Sequence, residues 1–247
     1  MLKKIIVPLL LTLCLAPVAS AYNQNDLNML KNTKSCPGGD LSGASLKDMD
    51  LTRANLAGAK LSYANLSNTV LEGANLTNAN LEKANLSQAY LAEAKLDDSN
   101  LAEANLRAAI LNKASLVNVH AFRTNFSHSF LSFTNFYGGD LREANFDYAL
   151  ATYGNFVSAN LAQGWFFNTN MENANLTNAN LYNAKMKKAI LTSTKLKNVN
   201  LAQANLQNAD LTKAELINAN LDHTDLLYAK LESVNFSGTS LKTATLK

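Results

Sequence analysis

From Leu41 onward every fifth residue is apolar, without a single insertion or deletion, as far as Leu246. Most of these beats are Leu. Phe126, Phe136, Phe146, Phe156, Phe166 and Phe236, Met171 and Met186, and Ala121 and Ala151 take the remainder. Two places before each beat stands a small residue, Ala, Gly, Ser, Thr or Val, with Met49 as the clear exception. A period of five suits neither regular element. On an α-helix five steps carry a side chain about 140° beyond a full turn, so the leucines would spiral around the cylinder. On a flat strand, residues five apart face opposite sides. The chain must therefore turn once per beat. The solution is a solenoid in which each five-residue unit forms one side, with the beat and the small residue pointing inward.

Two patterns favour four sides, and so a coil of twenty residues. Phe126, Phe146 and Phe166 are twenty apart, as are Phe136 and Phe156 on the opposite side. The place just before the beat is mostly polar, often Asn, and its large apolar exceptions recur at the same interval: Val70, Tyr90, Ile110, Phe130, Leu150 and, beyond Asn170, Ile190. Four sides line these up in one column. One unit alone is unstable. Burying a Leu contributes roughly 1.5–3 kcal/mol, whereas ordering five backbone residues costs about 5–10 kcal/mol. Stacked coils add hydrogen bonds and a shared core. Gly and Asn crowd the second place after the beat, as at Gly43, Asn78, Asn118 and Gly138, and both tolerate the positive φ of a corner.

The unit resembles the pentapeptide repeat, A-(D/N)-L-x-x, most closely from Ala74 to Gln88 and from Ala174 to Lys185. That resemblance implies an all-β fold, a right-handed quadrilateral parallel β-helix of about ten four-sided coils. At about 4.8 Å per coil the rod is on the order of 50 Å long. The resemblance also implies dimers formed through the C-terminal coil and, for some cytoplasmic members, imitation of DNA and inhibition of gyrase. Imitation of that kind needs a strongly negative rod. Here the net charge is +3, and it falls by two if Lys3 and Lys4 leave with a leader. The lysines are interspersed with acids, so a basic nucleic-acid binder is equally unsupported.

Taken in order, residues 1–21 read as a signal peptide: Lys3 and Lys4, an apolar run from Ile5 to Leu15, and an Ala19-Ser20-Ala21 cleavage site. A membrane span is the alternative reading, but the run is short against the roughly 20 residues a span needs and holds Pro8, so no membrane-spanning segment is expected after cleavage. This places the protein in the periplasm, outside the cell or in a comparable lumen. Asn-Leu-Ser/Thr triplets at Asn65, Asn75, Asn85 and Asn175 fit an envelope without eukaryotic glycosylation machinery. Residues 22–38 are expected to cap the rod. A short helix over Asn25–Lys34 has Asn25 or Asp26 as N-cap and Leu27, Met29 and Leu30 facing in, and Pro37-Gly38-Gly39 breaks it. Cys36, the one cysteine left after cleavage, reads as a buried thiol, with a disulfide between chains as the alternative. It lies in a CPGGDL stretch that resembles the CxxC-DL start of some family members, with Gly39 replacing the second Cys. Residues 39–247 form the β-helix. Ala121 and Ala151 compensate for the bulk of Phe on two opposite walls.

Function then belongs to the surface. His120, His128 and His223 fall in different columns, Asp97, Asp98 and Asp140 gather into no calcium site, and no catalytic arrangement, cofactor or metal is expected. Asn80, Asn100, Asn160, Asn180, Asn200 and Asn220 share a column and are expected to form a structural amide ladder. The outward apolar column gives the candidate contact residues Tyr90, Ile110, Phe130 and Leu150, with Phe133 and Tyr153 on the same wall. Trp165 and Phe167 lie on a neighbouring wall, and Phe122 and Tyr137 on others. Such a stripe marks a contact surface for a protein partner or a second copy of the chain or, alternatively, for cell-wall glycan.

Overall fold

The computed structural model describes residues 22–246. From Ser35 on, one backbone conformation recurs every five residues: a bridged residue before the beat, the beat, then a two-residue turn whose second member has positive φ. Parallel bridges join the residue before a beat to the one twenty places on, from Ser35 to Asn55 as far as Asp225 to Thr245, with a break only between Asn220 and Ser240 among the described residues. The chain is thus a parallel β-helix that turns every five residues and returns to the same column after twenty. Three hydrogen bonds in most units hold neighbouring coils, one of them donated by the positive-φ turn residue to the next coil (Glu103 to Phe122, 2.8 Å). The beat N–H donates to a carbonyl in the next coil (Leu101 to His120, 2.7 Å), and the N–H before the beat donates to the small residue of the previous coil (Asn65 to Ala44, 2.9 Å).

The corner is more permissive than its Gly and Asn content suggests. Lys83, Glu103, Tyr63, Phe133 and Tyr153 all hold φ between 56° and 61° there. A side chain in this region costs roughly 1–2 kcal/mol. The cross-coil bonds of each unit, one of them donated by the corner N–H itself, offset it, so residue type at the corner is left free for the surface.

Every beat from Leu41 to Leu226 is buried, Leu101, Leu161 and Leu201 completely. Beyond that the core opens to water, with Leu231, Phe236 and Leu241 half-buried. Where Thr takes the small inward place, its hydroxyl needs a partner. Thr69, Thr124, Thr134, Thr169, Thr194 and Thr224 each donate to the beat carbonyl of the coil beneath, at 2.7–2.9 Å. No buried side-chain N or O among the described residues lacks a partner.

The core phenylalanines interlock. Rings on one wall stack at 4.9 Å (Phe126–Phe146) and 5.2 Å (Phe146–Phe166), and on the opposite wall at 4.9 Å (Phe136–Phe156). Across the interior they meet edge to face at 5.6–6.1 Å. Ala121 and Ala151, fully buried, occupy the walls between. Two glycines share this compensation. A Cβ on Gly154 or Gly164 would lie 2.7 Å from the ring of Phe156 or Phe166, two places on.

Helix α1 spans Gln24–Thr33 and covers the first coil. Its N-cap is Asn23, whose side chain accepts from the Asn25 N–H, rather than Asn25 or Asp26. Asp26 sits in the first turn, where its carboxylate accepts the Asp40 N–H at 2.8 Å and ties the helix to the rod. Leu27 and Leu30 are buried, but Met29 is 47% exposed. Two steps from Leu27 put it about 200° around the helix, on the opposite face. The helix ends at Lys34 in the left-handed region, before Pro37-Gly38-Gly39, which belongs to the first coil. Cys36 itself occupies a beat position, its N–H donating to the Asn55 carbonyl at 2.8 Å. It is a free, buried thiol, and burial pushes its pKa up. Its Sγ lies 2.1 Å from where a Gly39 Cβ would be, so no side chain fits at Gly39 while Cys36 points there.

The fit of Gly164 against Phe166 gives a double-mutant test. Gly164→Ala alone is expected to destabilise by about 1–3 kcal/mol through overpacking. Combined with Phe166→Leu, which withdraws the ring, most of that penalty should disappear. Denaturant unfolding of the four variants measures it, and strictly additive losses would contradict the packing described.

Candidate functional site

Outward side chains come from three places in each unit: the bridged residue before the beat and the two turn residues after it. Because the coil repeats every twenty residues, each outward side chain lies directly over another. Tyr90, Ile110, Phe130 and Leu150 are bridged in sequence, so the expected column exists. It is not uniformly available. Tyr90, Ile110 and Leu150 are half-buried, whereas Phe130 stands exposed. Phe133 and Tyr153, at the corner of the same wall, are 57% and 54% exposed and stack at 4.9 Å, 5° from parallel.

The neighbouring wall adds more than the sequence analysis assigned to it. Trp165 is 45% exposed, and Phe167 packs edge-on against Tyr148 at 5.4 Å. Tyr148 in turn stacks on His128 at 5.0 Å. Neither Tyr148 nor His128 was a candidate. The signal was present: they are twenty apart in a corner column, and each lies two places before a member of the apolar column, Leu150 and Phe130. The two walls share a corner there, and the aromatic surface wraps around it.

The other outlying aromatics are not part of it. Phe122 is flanked by the guanidinium groups of Arg123 and Arg142, 4.7 and 5.8 Å from its ring centre. Arg142 grips Asp140 through two 2.7 Å bonds and holds its carboxyl below the usual range. Tyr137 is exposed on a separate wall.

Polar columns are used up internally. The expected ladder forms as Asn80–Asn100 and as Asn160–Asn180–Asn200, with amide bonds of 3.1–3.2 Å. It is interrupted by His120 and Asp140, and Asn220 turns instead to the Asp222 N–H. A second ladder, Asn65–Asn85–Asn105–Asn125, was not anticipated. Each of these asparagines also accepts the N–H two places on, bracing its own turn. Asp97 is engaged by Ser115 and by the Val117 N–H. Among the described residues no group of His, Cys, Asp and Glu is placed to hold a metal ion, and no helix is long and apolar enough to cross a membrane.

Asp147 lies beneath the aromatic corner and accepts the Phe167 N–H at 2.7 Å. Burial pushes its carboxyl up, against the opposing pull of that N–H, His128 and Lys185. A raised folded-state pKa means that the ionised form is disfavoured on folding. The penalty is present above that pKa and disappears as pH falls through it to the ordinary Asp value near ~3.9. Asp147→Asn keeps the acceptor and removes the charge. It should be at least as stable as the parent at neutral pH, with the gap closing in acid. Asp147→Ala, which also lacks the titrating group, should lie about 1 kcal/mol below the Asn variant at both pH values by orphaning the Phe167 N–H. Thermal unfolding at pH 7 and pH 4 measures both, and a less stable Asn variant at neutral pH would contradict the assignment.

A family model for pentapeptide repeats matches eight copies, at residues 40–73, 50–88, 69–107, 84–120, 99–136, 155–192, 194–226 and 216–247. The gap between residues 136 and 155 contains Tyr148, Leu150 and Tyr153. No curated protein matches the chain. Among solved structures it is similar to HetL, a pentapeptide repeat protein involved in heterocyst differentiation regulation from Nostoc sp. strain PCC 7120, at 27% identity over 91% of this chain and 96% of that one, with a TM-score of 0.42. It is similar to a pentapeptide repeat protein of the Arabidopsis thaliana thylakoid lumen at 30% identity, over 39% of this chain and 68% of that one, with a TM-score of 0.39. It also resembles QnrB1, a plasmid-mediated fluoroquinolone resistance protein, at 18% identity over 82% and 91% of the two chains, with a TM-score of 0.33. With its unbroken register and a family match over most of its length, the chain belongs to the pentapeptide repeat family.

Proposed function

We propose that this protein is an exported, non-enzymatic scaffold, a right-handed square rod of about ten coils, that acts by presenting its aromatic corner to a protein partner. The observation that carries this reading is the cluster of exposed rings, Phe130, Phe133, Tyr148, Tyr153 and Trp165, around one corner. Elsewhere the walls carry polar ladders and isolated exposed rings, Tyr63, Tyr137 and Tyr228. A contiguous exposed apolar patch of this kind marks a contact site. DNA imitation is disfavoured because the charge has the wrong sign.

A photo-cross-linking residue at Phe133 should capture a protein in intact cells, and one at Ser158, at similar height on another wall, should not. The triple variant Phe130→Ser, Phe133→Ser, Tyr153→Ser should keep the parent's circular dichroism and lose the contact. Equal capture from both positions, or capture that survives the triple change, would count against the reading. Export rests on residues 1–21, which lie outside the described residues. N-terminal sequencing of the secreted fraction should start at Tyr22, and an intact Met1 there would refute cleavage.

A further inference from the structure

Building on the reading of the aromatic corner as a contact surface, we infer that its partner is an acidic protein segment carrying an apolar anchor.

Ring orientation is the first ground. The separations of 4.9 Å for Phe133–Tyr153 and 5.0 Å for His128–Tyr148 equal the spacing of adjacent strands, about 4.8 Å. Each ring therefore lies across the rod axis, its face against the ring of the next coil, and the edges meet solvent. Aromatic edges carry the positive part of the ring quadrupole and favour electron-rich oxygens. A sugar stacks on an outward-turned ring face, and these columns turn their faces along the rod.

Charge is the second. On the wall of Trp165 and Phe167, one coil further on, Lys185, Lys187 and Lys188 are all exposed. The Lys185 ammonium is 3.7 Å from the Trp165 ring centre, and that of Lys188 is 5.8 Å from Phe167. Elsewhere on this rod a charged residue commonly pairs with the opposite charge twenty places away, as in Lys113–Glu93, Arg123–Glu143 and Lys230–Asp210. The column neighbours of these three lysines are Trp165 and Asn205, Phe167 and Gln207, and Asn168 and Asn208. None of the three is ion-paired among the described residues. The acids on the two walls nearest this height are Asp147, held by the Phe167 N–H, Glu172, and Asp210 over Ile190, which is paired with Lys230. The surface thus offers three cations without an ion-pair partner next to the stacked rings, Lys185 over the Trp165 ring and Lys188 near that of Phe167, with Ile190 exposed two places beyond Lys188. Carboxylates meet the lysines and an apolar side chain meets the rings.

Trp165 is the one tryptophan in the sequence, so its fluorescence reports on this corner. The probe is a short soluble peptide of Asp, Glu and Phe. The comparison probes are the same peptide with Lys for the acids, soluble peptidoglycan fragments, and phosphatidylglycerol vesicles. The acidic peptide should change Trp165 emission saturably, and raising salt from about 50 mM to about 0.5 M should weaken it. The variant Lys187→Glu, Lys188→Glu should bind it about tenfold more weakly with unchanged circular dichroism. Equal binding of the basic peptide, no loss in the Glu variant, or a response to glycan or vesicles without one to the acidic peptide each overturns the inference. If cross-linking from Phe133 persists undiminished in the Glu variant, the contact surface stands and the acidic partner falls. If Phe133 captures nothing in the parent, both fall.

Discussion

Hydrogen bonds between one coil and the next are the constraint on which the rest of the molecule depends. They run to residues about twenty places away, and no five-residue unit contains its own partners. A unit that buries one Leu cannot offset the entropy of its own backbone. It is stable only with a coil above and below, in a register that places each bridged residue over its counterpart. That register explains why no insertion is tolerated from Leu41 to Leu246. An added residue would shift every later beat out of the core and every later bridge out of alignment.

The same register turns sequence into columns, in which like is placed over like at the strand spacing. Asn over Asn becomes an amide ladder, Phe over Phe a stacked core, and acid over base an ion pair. Those exposed pairs contribute little stability individually. Their value is that they neutralise columns which would otherwise repel. Where a column carries neither a matching amide nor an opposite charge, as at Lys185 or Phe133, its chemistry is left facing outward.

Much of this was legible because the fold is close to one-dimensional. The dry interior, the twenty-residue register and the apolar column followed from reading every fifth and every twentieth residue. The missed surface contacts share one cause, which is that not every column shows its chemistry at the five-residue interval. Tyr148 went unnoticed because the corner columns were judged by their fitness for positive φ. The Lys185–Trp165 contact likewise appears only when residues twenty apart are compared. Met29 was misplaced where the five-residue rule does not apply, on a helix with its own phase. The departure of Gly154 and Gly164 from Ala was visible, but its reason was not. It requires knowing that the ring two places on folds back over that position.

The core and surface aromatics occupy the same stretch of the rod, and the coincidence has a mechanical consequence. Phe166 is a core ring, and its two chain neighbours are Trp165 and Phe167 on the outside. Phe146 and Tyr148 stand in a similar relation. Interlocked rings within leave little freedom for the walls above them: Phe146 is stacked between Phe126 and Phe166 and wedged by Phe136 and Phe156, and Phe166 stacks on it. The outer rings are held in turn by their own stacks. Binding normally costs about 0.5–1.5 kcal/mol for each long side chain that must be immobilised. Rings already ordered against one another lose less, so more of the contact energy remains for association. A rod of near-identical coils has no pocket-forming loops to adapt to a partner. Rigidity built from beneath, at the coils where the aromatic surface lies, is the means by which such a wall can bind selectively.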